Sequence, residues 1–376
     1  MKLKFAAFGS AVITAAFASG GAFAAGPGIS DVLANSGITA NGWISGSYGY
    51  GFNDSAPGSK DPLSFRTFDS DTDSFNLNQA VLNVSSLPTE GFGGMVTLMA
   101  GEDAGPVNAY FGDDDNHFVV EQAYIQYAHG ALTVMGGRFV TLAGAEVIAD
   151  PMNVNLSRSL LFTLAEPFVH TGVRASYKVS DQFTGYLGVL NSALSGNSVT
   201  GGPTDNDQRK TVEAGGLFTI SPAASIGLYD YYGVENDVVK NNYLDAVANL
   251  AINDQLSVAL NVDWQHRKID TGAGSAKTNR TGVAGYVNYK FSPLWRVSVR
   301  AETLHFNKDD RALTFGTDNK SLSELTLTVG YSPAKNFDLL MEGRVDNSDK
   351  KLFVDGTDTK DTQSDVAIKG IYKFGL

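Results

Sequence analysis

The sequence predicts a transmembrane antiparallel β-barrel of about sixteen strands, with short periplasmic turns and long extracellular loops. Three observations predict it. The chain begins with an export signal, its strand-like segments are joined by connections of alternating length, and the C-terminal segments keep one face free of charge.

The export signal comes first. Lys2 and Lys4 precede a mostly apolar run to Ala18, and Ala22-Phe23-Ala24 ends it as an Ala-x-Ala site. These are the three parts of a secretory signal, so cleavage is expected after Ala24. The expected organisation is a signal peptide at 1–24, a short periplasmic lead at 25–38 and one barrel domain at 39–376. Beyond residue 24 no stretch approaches the ~18 consecutive apolar residues of a membrane helix.

Composition fits such a barrel. A length of 376 residues suggests two or three soluble domains, and a single large barrel is the main exception. Hydrophobic content of 43% is ordinary for a soluble chain, yet a barrel also shows it because every second strand residue faces the lumen. Cysteine is absent, which excludes disulfides, thiol catalysis and Cys-ligated zinc. A net charge of −12 without a basic cluster excludes a nucleic-acid binder.

Strands are expected at 39–52, 75–85, 91–100, 119–128, 132–140, 168–178, 183–190, 211–220, 225–232, 243–251, 256–266, 281–291, 295–305, 324–331, 337–345 and 365–376. Each is rich in β-branched and aromatic residues. The intervening connections alternate between seven short turns and eight long loops, the latter at 53–74, 101–118, 141–167, 191–210, 233–242, 267–280, 306–323 and 346–364. A soluble β-sandwich has no reason to sort its loops by parity, whereas a membrane barrel does. An even strand count leaves both termini on the periplasmic side.

Strand side chains alternate between faces. On the last six strands one register puts only uncharged residues outward: Leu260, Val262 and Trp264, then Val283 and Val287, Val297 and Val299, Leu325 and Leu327, Leu339 and Met341, Val366 and Ile368. The opposite register holds Asp263, Lys290, Arg296, Arg300, Glu302, Glu324, Asp338, Glu342, Arg344, Asp365, Lys369 and Lys373. Lys or Arg at mid-depth on the lipid face costs about 2–4 kcal/mol, which explains the segregation. Tyr289, Phe291, Trp295, Tyr331, Phe337, Tyr372 and Phe374 cluster beside short turns, as an interfacial girdle requires. Glu121 and Asp230 fall on the apparent outward face near loop ends, where a bulge or a position above the hydrocarbon would accommodate them.

The loop 141–167 is unusually apolar, with Val147, Ile148, Leu156, Leu160, Leu161 and Phe162. It is expected to fold into the lumen and narrow it, bringing Glu146, Asp150 and Arg158 toward the axis. Packing over the rim or against another subunit is the alternative. Inward wall positions add His170, Arg174, Arg296, Arg300, Glu302 and Glu342 as pore-lining candidates. Charges of both signs in a water-filled lumen tune ion selectivity, or else merely solvate the wall. The acidic run Asp113-Asp114-Asp115-Asn116 lacks calcium-loop spacing and reads as a solvated loop. No cofactor, metal or catalytic motif stands out among His117, His129, His170, His266 and His305.

Several segments resemble the OmpL-like, β-barrel porin-2 family. They are Ser36-Gly37-Ile38 with the run Gly42 to Tyr50, Phe75-Asn76-Leu77-Asn78-Gln79-Ala80, Glu121 to Ile125, Gly136-Gly137-Arg138-Phe139, Arg158-Ser159, and His170 to Arg174. The similarity is strongest before about residue 190. Tyr372, Phe374 and Leu376 resemble an outer-membrane assembly signal that ends in Leu instead of Phe. The resemblance implies a porin in the bacterial outer membrane. The expected function is therefore passive diffusion of small hydrophilic solutes or ions, without enzymatic activity. A non-conducting adhesion or scaffold barrel is the alternative, and an outer-membrane hydrolase a more distant one. Expected partners are outer-membrane lipid and lipopolysaccharide, the assembly machinery and, by analogy with sixteen-stranded porins, two further copies in a homotrimer.

Overall fold

The computed structural model describes residues 36–56, 63–69, 71–110, 116–193, 209–235, 238–272 and 274–375. The segment expected to be a signal peptide, most of the expected lead, Asp113 to Asp115 and Leu376 lie outside them.

Sixteen strands close one antiparallel barrel. They are β1 (Thr39–Gly51), β2 (Phe75–Ser86), β3 (Gly91–Ala100), β4 (Phe118–His129), β5 (Leu132–Val140), β6 (Val169–Lys178), β7 (Phe183–Leu190), β8 (Thr211–Ser221), β9 (Ala224–Glu235), β10 (Val239–Ala251), β11 (Leu256–Asp270), β12 (Ser275–Lys290), β13 (Trp295–Phe306), β14 (Ser321–Ala334), β15 (Phe337–Ser348) and β18 (Thr362–Gly375). Two short strands, β16 (Phe353–Asp355) and β17 (Asp358–Lys360), form a hairpin in the last long loop. Neighbours in sequence pair in turn, and β18 returns to β1 from Asn41↔Gly375 to Gly51↔Asp365. Closure removes the open edges that lipid could not hydrogen-bond.

The strand boundaries agree with the sequence pattern to within a few residues, with two instructive exceptions. The connections at 233–242 and 267–280 are not long loops. There β9 and β10 pair up to Glu235↔Val239, and β11 and β12 up to Asp270↔Ser275. Regular alternation of apolar and polar residues ends there, but backbone pairing continues through mixed rungs such as Lys240↔Val234, Lys268↔Lys277 and Ile269↔Ala276.

Alternation sorts the faces. One outward row runs Leu260–Gly285–Ala301–Leu325–Val345 across β11 to β15. The inward row beside it runs Asn261–Ala284–Glu302–Glu324–Asp346–Gln363. The next runs Ala259–Tyr286–Arg300–Thr326–Arg344–Asp365. The outward residues are exposed or half-buried and the inward ones mostly buried, the reverse of a soluble barrel. Aromatic pairs beside the short turns include Phe92–Tyr127, Phe183–Phe218 and Trp295–Tyr331, with ring centroids 4.8, 4.4 and 4.4 Å apart.

The exceptional charges resolve differently. Thr97 pairs with Gln122 and Leu98 with Val120, so Glu121 occupies a bulge and is buried. Asp230 stays outward, between buried Tyr229 and Tyr231, one step below Tyr232. Arg138 alternates with buried Phe139 and donates to the Val120 carbonyl at 3.0 Å. Lys290 keeps the inward parity of Tyr286 and Asn288, pairs across the ladder with Arg296 and is exposed at the end of β12.

Candidate functional site in the lumen

Residues 141–167 run inside the barrel and bond to the wall on several sides. Thr141 Oγ1 and Tyr231 Oη on β9 share a hydrogen bond of 3.0 Å, and Leu142 N–H donates to the same hydroxyl at 3.2 Å. Ala145 N–H donates to Asn261 Oδ1 on β11 at 2.6 Å.

The next anchor is Asp150, in the 3-10 turn Asp150–Met152. Its carboxylate accepts from Ser45 Oγ on β1 at 2.6 Å, Lys369 Nζ on β18 at 3.1 Å and Arg158 Nη2 at 2.9 Å. Gln79 on β2 accepts from Asp150 N–H at 3.1 Å and from Trp43 Nε1 at 2.7 Å, and donates to the Ile148 carbonyl at 2.8 Å. Burial opposes ionisation of Asp150, but Lys369 and Arg158 overcome it and hold the carboxyl below its usual range. Arg158 also donates to the carbonyls of Val147, Ile148 and Leu156, so it braces the loop against itself.

The β13–β15 wall grips the second half of the loop. Arg300 donates to Glu146 at 2.6 Å, to Glu324 at 2.7 Å and to the Ser157 carbonyl at 2.8 Å. Glu342 accepts from Leu156 N–H at 2.7 Å, Ser157 N–H at 3.0 Å and Thr328 Oγ1 at 2.6 Å. Glu302 accepts from Leu160 N–H and Leu161 N–H, at the N-terminus of the short helix Leu160–Leu164. A carboxylate there satisfies donors that a helix start leaves free. Ser159 caps the same helix by accepting from Phe162 N–H.

Apolar contacts explain why this loop is apolar. Ile148, Leu156 and Phe162 join Trp43, Val81, Met99, Leu340 and Ile371 in one buried cluster. Leu160, Leu161 and Leu164 join Tyr286, Leu304, Leu322 and Phe353 in a second. Ala143 joins Phe139, Tyr231 and Tyr243 in a third. On the periplasmic side of the loop a cavity of about 520 Å³ remains, lined by Glu146, Asn153, Thr219, Asn249, Tyr286 and Asn288 among others.

Of the residues singled out from sequence, Glu146, Asp150, Arg158, Arg300, Glu302 and Glu342 come together around this loop. Three do not. His170 is buried on β6, stacked on Tyr231 with ring centroids 5.2 Å apart. Arg174 forms a bidentate pair with Glu213 at 2.6 and 2.7 Å and lies over the Phe139 ring. Arg296 stands near the periplasmic end, half-buried against Gly330.

Sequence reasoning missed Ser45 and Gln79, which carry no charge to mark them. It also missed Arg66, set in an acidic loop yet with its side chain buried against Asp346 and Asp365. The acidic partners on the inward register were the one available signal.

Comparison with known proteins agrees with this architecture. The family described as "Putative beta-barrel porin-2, OmpL-like" has a sequence model that matches residues 37–374. The chain belongs to that family. No curated protein sequence matches it. Among solved structures it is similar to the outer membrane channel DcaP of Acinetobacter baumannii, at 12% identity and a TM-score of 0.61, over 90% of this chain and 97% of that one. The trimer form of OmpT of Vibrio cholerae gives 11% identity and a TM-score of 0.60, over 90% and 99%. The anion-selective porin from Comamonas acidovorans gives 12% and 0.57, over 90% and 99%. The chain is thus a porin-like barrel of the bacterial outer membrane.

Proposed function

We propose that the barrel is a passive diffusion pore for small hydrophilic solutes or ions. The observation that carries this reading is the loop 141–167, anchored across the lumen by buried ion pairs, with open space left between it and the ends of β8–β12. In this reading the loop narrows the passage, and Glu146, Asp150, Arg158, Arg300, Glu302 and Glu342 shape the constriction. His170, Arg174 and Arg296 line the wall away from it. The barrel carries out no catalysis. It sits among outer-membrane lipid and lipopolysaccharide after delivery by the assembly machinery, and forms a homotrimer.

Planar-bilayer recording on the purified barrel tests the reading. Discrete conductance steps with a mild cation preference are expected, because the net charge is negative. A folded barrel without conductance overturns it in favour of a non-conducting surface barrel.

A further inference from the structure

The stem of the loop meets a different wall from its middle. On β10 and β11, Asp245 stands directly opposite Asp263. Like charges directly opposite across antiparallel strands are destabilising. Both side chains are buried, and Asn261 Nδ2 donates to each, at 2.8 and 3.0 Å. The second oxygen of each carboxyl, Asp245 Oδ2 and Asp263 Oδ2, is buried without a hydrogen-bond partner.

Glu166, at the end of the loop, comes to the same place. It is 1% exposed, its Oε1 is buried without a partner, and its strongest charged neighbours are Asp263, Asp245, Glu146 and Glu302. Gly144, at φ +88°, makes the approach possible, because a Cβ there would collide with Glu166 Oε2. Tyr243 lies beside Asp263. Tyr286, only 6% exposed, turns an unpartnered hydroxyl into the field of Glu146, Glu166 and Glu302. The nearby cations are engaged elsewhere. Arg300 holds Glu146 and Glu324, and Arg280 holds Asp310 and the Leu164 carbonyl. Among the described residues no Lys, Arg or His pairs with Glu166, Asp245 or Asp263.

We propose that Glu166, Asp245 and Asp263 form a proton-operated latch that seats the loop stem on the β10–β11 wall and releases it as pH rises. Protonated, the three carboxyls can donate to one another and to the free oxygens. Ionised, they place up to three like charges in a sealed space without a counter-ion, and each buried charge costs several kcal/mol. Burial, and then the charges of Asp263 and Asp245, also push the Glu166 carboxyl well above its usual range. The sign follows from that direction. The seated stem holds protons that the released stem gives up, so the seat is stable at low pH and lost as pH rises. For each proton released, the freed fraction grows about tenfold per pH unit. The Asp150 anchor keeps the middle of the loop in place, so only the stem swings. The passage beside the cavity then widens.

The latch is a property of the loop seat, while its effect on current rests on the pore reading, so two readouts are needed. The first is hydrogen exchange of backbone N–H groups at 142–146 and 164–167 in the full barrel in detergent, between about pH 4 and about pH 9 and corrected for the intrinsic pH dependence of exchange. The second is bilayer conductance over the same range. Stem protection is expected to fall steeply with pH in the unmodified protein and conductance to rise. Asp263→Asn, Asp245→Asn and Glu166→Gln should each flatten both profiles, whereas Asp230→Asn on the outer face should leave them intact. An infrared band of protonated carboxyl near neutral pH should weaken in the Asn and Gln variants. Stem exchange that does not respond to pH, or an unaltered profile in all three variants, overturns the latch. Exchange that follows pH in a barrel without current at any pH supports the latch and overturns only the pore reading.

Discussion

The two sides of the lumen treat charge in opposite ways. On β13–β15 and β18 every buried carboxylate that meets the loop is answered by a guanidinium, an ammonium or backbone N–H groups. On β10 and β11 two carboxyls face each other and a third arrives from the loop, with Asn261 donating to both members of the wall pair and no guanidinium or ammonium paired with them among the described residues. The first arrangement clamps the loop, and the second lets it respond to its surroundings. Their pH dependences also oppose. The Asp150 anchor, with its depressed carboxyl, is present above the usual carboxylate range and lost on strong acidification, whereas the Glu166 seat is lost as pH rises.

The largest test of this contrast is Arg300→Met. It leaves Glu146 buried without its cation and Glu324 with Arg344 alone, and breaking a buried pair from one side costs about 3–5 kcal/mol. Thermal unfolding in detergent should shift down strongly, and the loop should lose protection around Glu146 and Ser157. If stability is unchanged, the clamp is not held by charge. Next is Glu342→Gln, which replaces an acceptor of three hydrogen bonds by a group with one oxygen and two N–H donors. A loss of about 1.5–3 kcal/mol is expected, read as increased exchange at Leu156 and Ser157.

Gly144→Ala probes the other side. The new methyl collides with Glu166 in a backbone conformation that disfavours side chains, so the stem should lift at all pH values, at a cost of about 1–3 kcal/mol. A pH profile of stem exchange identical to that of the unmodified protein would count against the close approach. The smallest effect belongs to Lys373→Ala. Its pair with Asp338 is partly exposed near the periplasmic end and contributes about 0–1 kcal/mol, so unfolding should barely move.

Much of the fold was legible because the barrel rests on local rules. The period of two, the turn residues and the exclusion of charge from lipid each act within one strand or one hairpin. That is why the boundaries of β3, β5 and β7 could be read from sequence. The hairpin extensions at Glu235 and Asp270 were not legible, since Val234, Val239 and Ile269 stand among polar residues without a regular period of two. Part of the candidate site was also visible, because Arg300, Glu302 and Glu342 are charged residues on the inward register. Ser45 and Gln79 were not, since a neutral side chain on an inward position gives no warning that a loop will dock on it.

By itself, the sequence determined the barrel, its even strand count, the outward face and the unusual character of the loop 141–167, because each follows from alternation or composition over short windows. Only the tertiary structure decided which wall charges the loop would meet. That depends on closure of β1 onto β18 and on a register that stacks rows of arginines and carboxylates from different strands. Contacts such as Lys369 with Asp150, or Glu342 with Leu156, join residues far apart in the chain. Their energy exists only once the ring is closed.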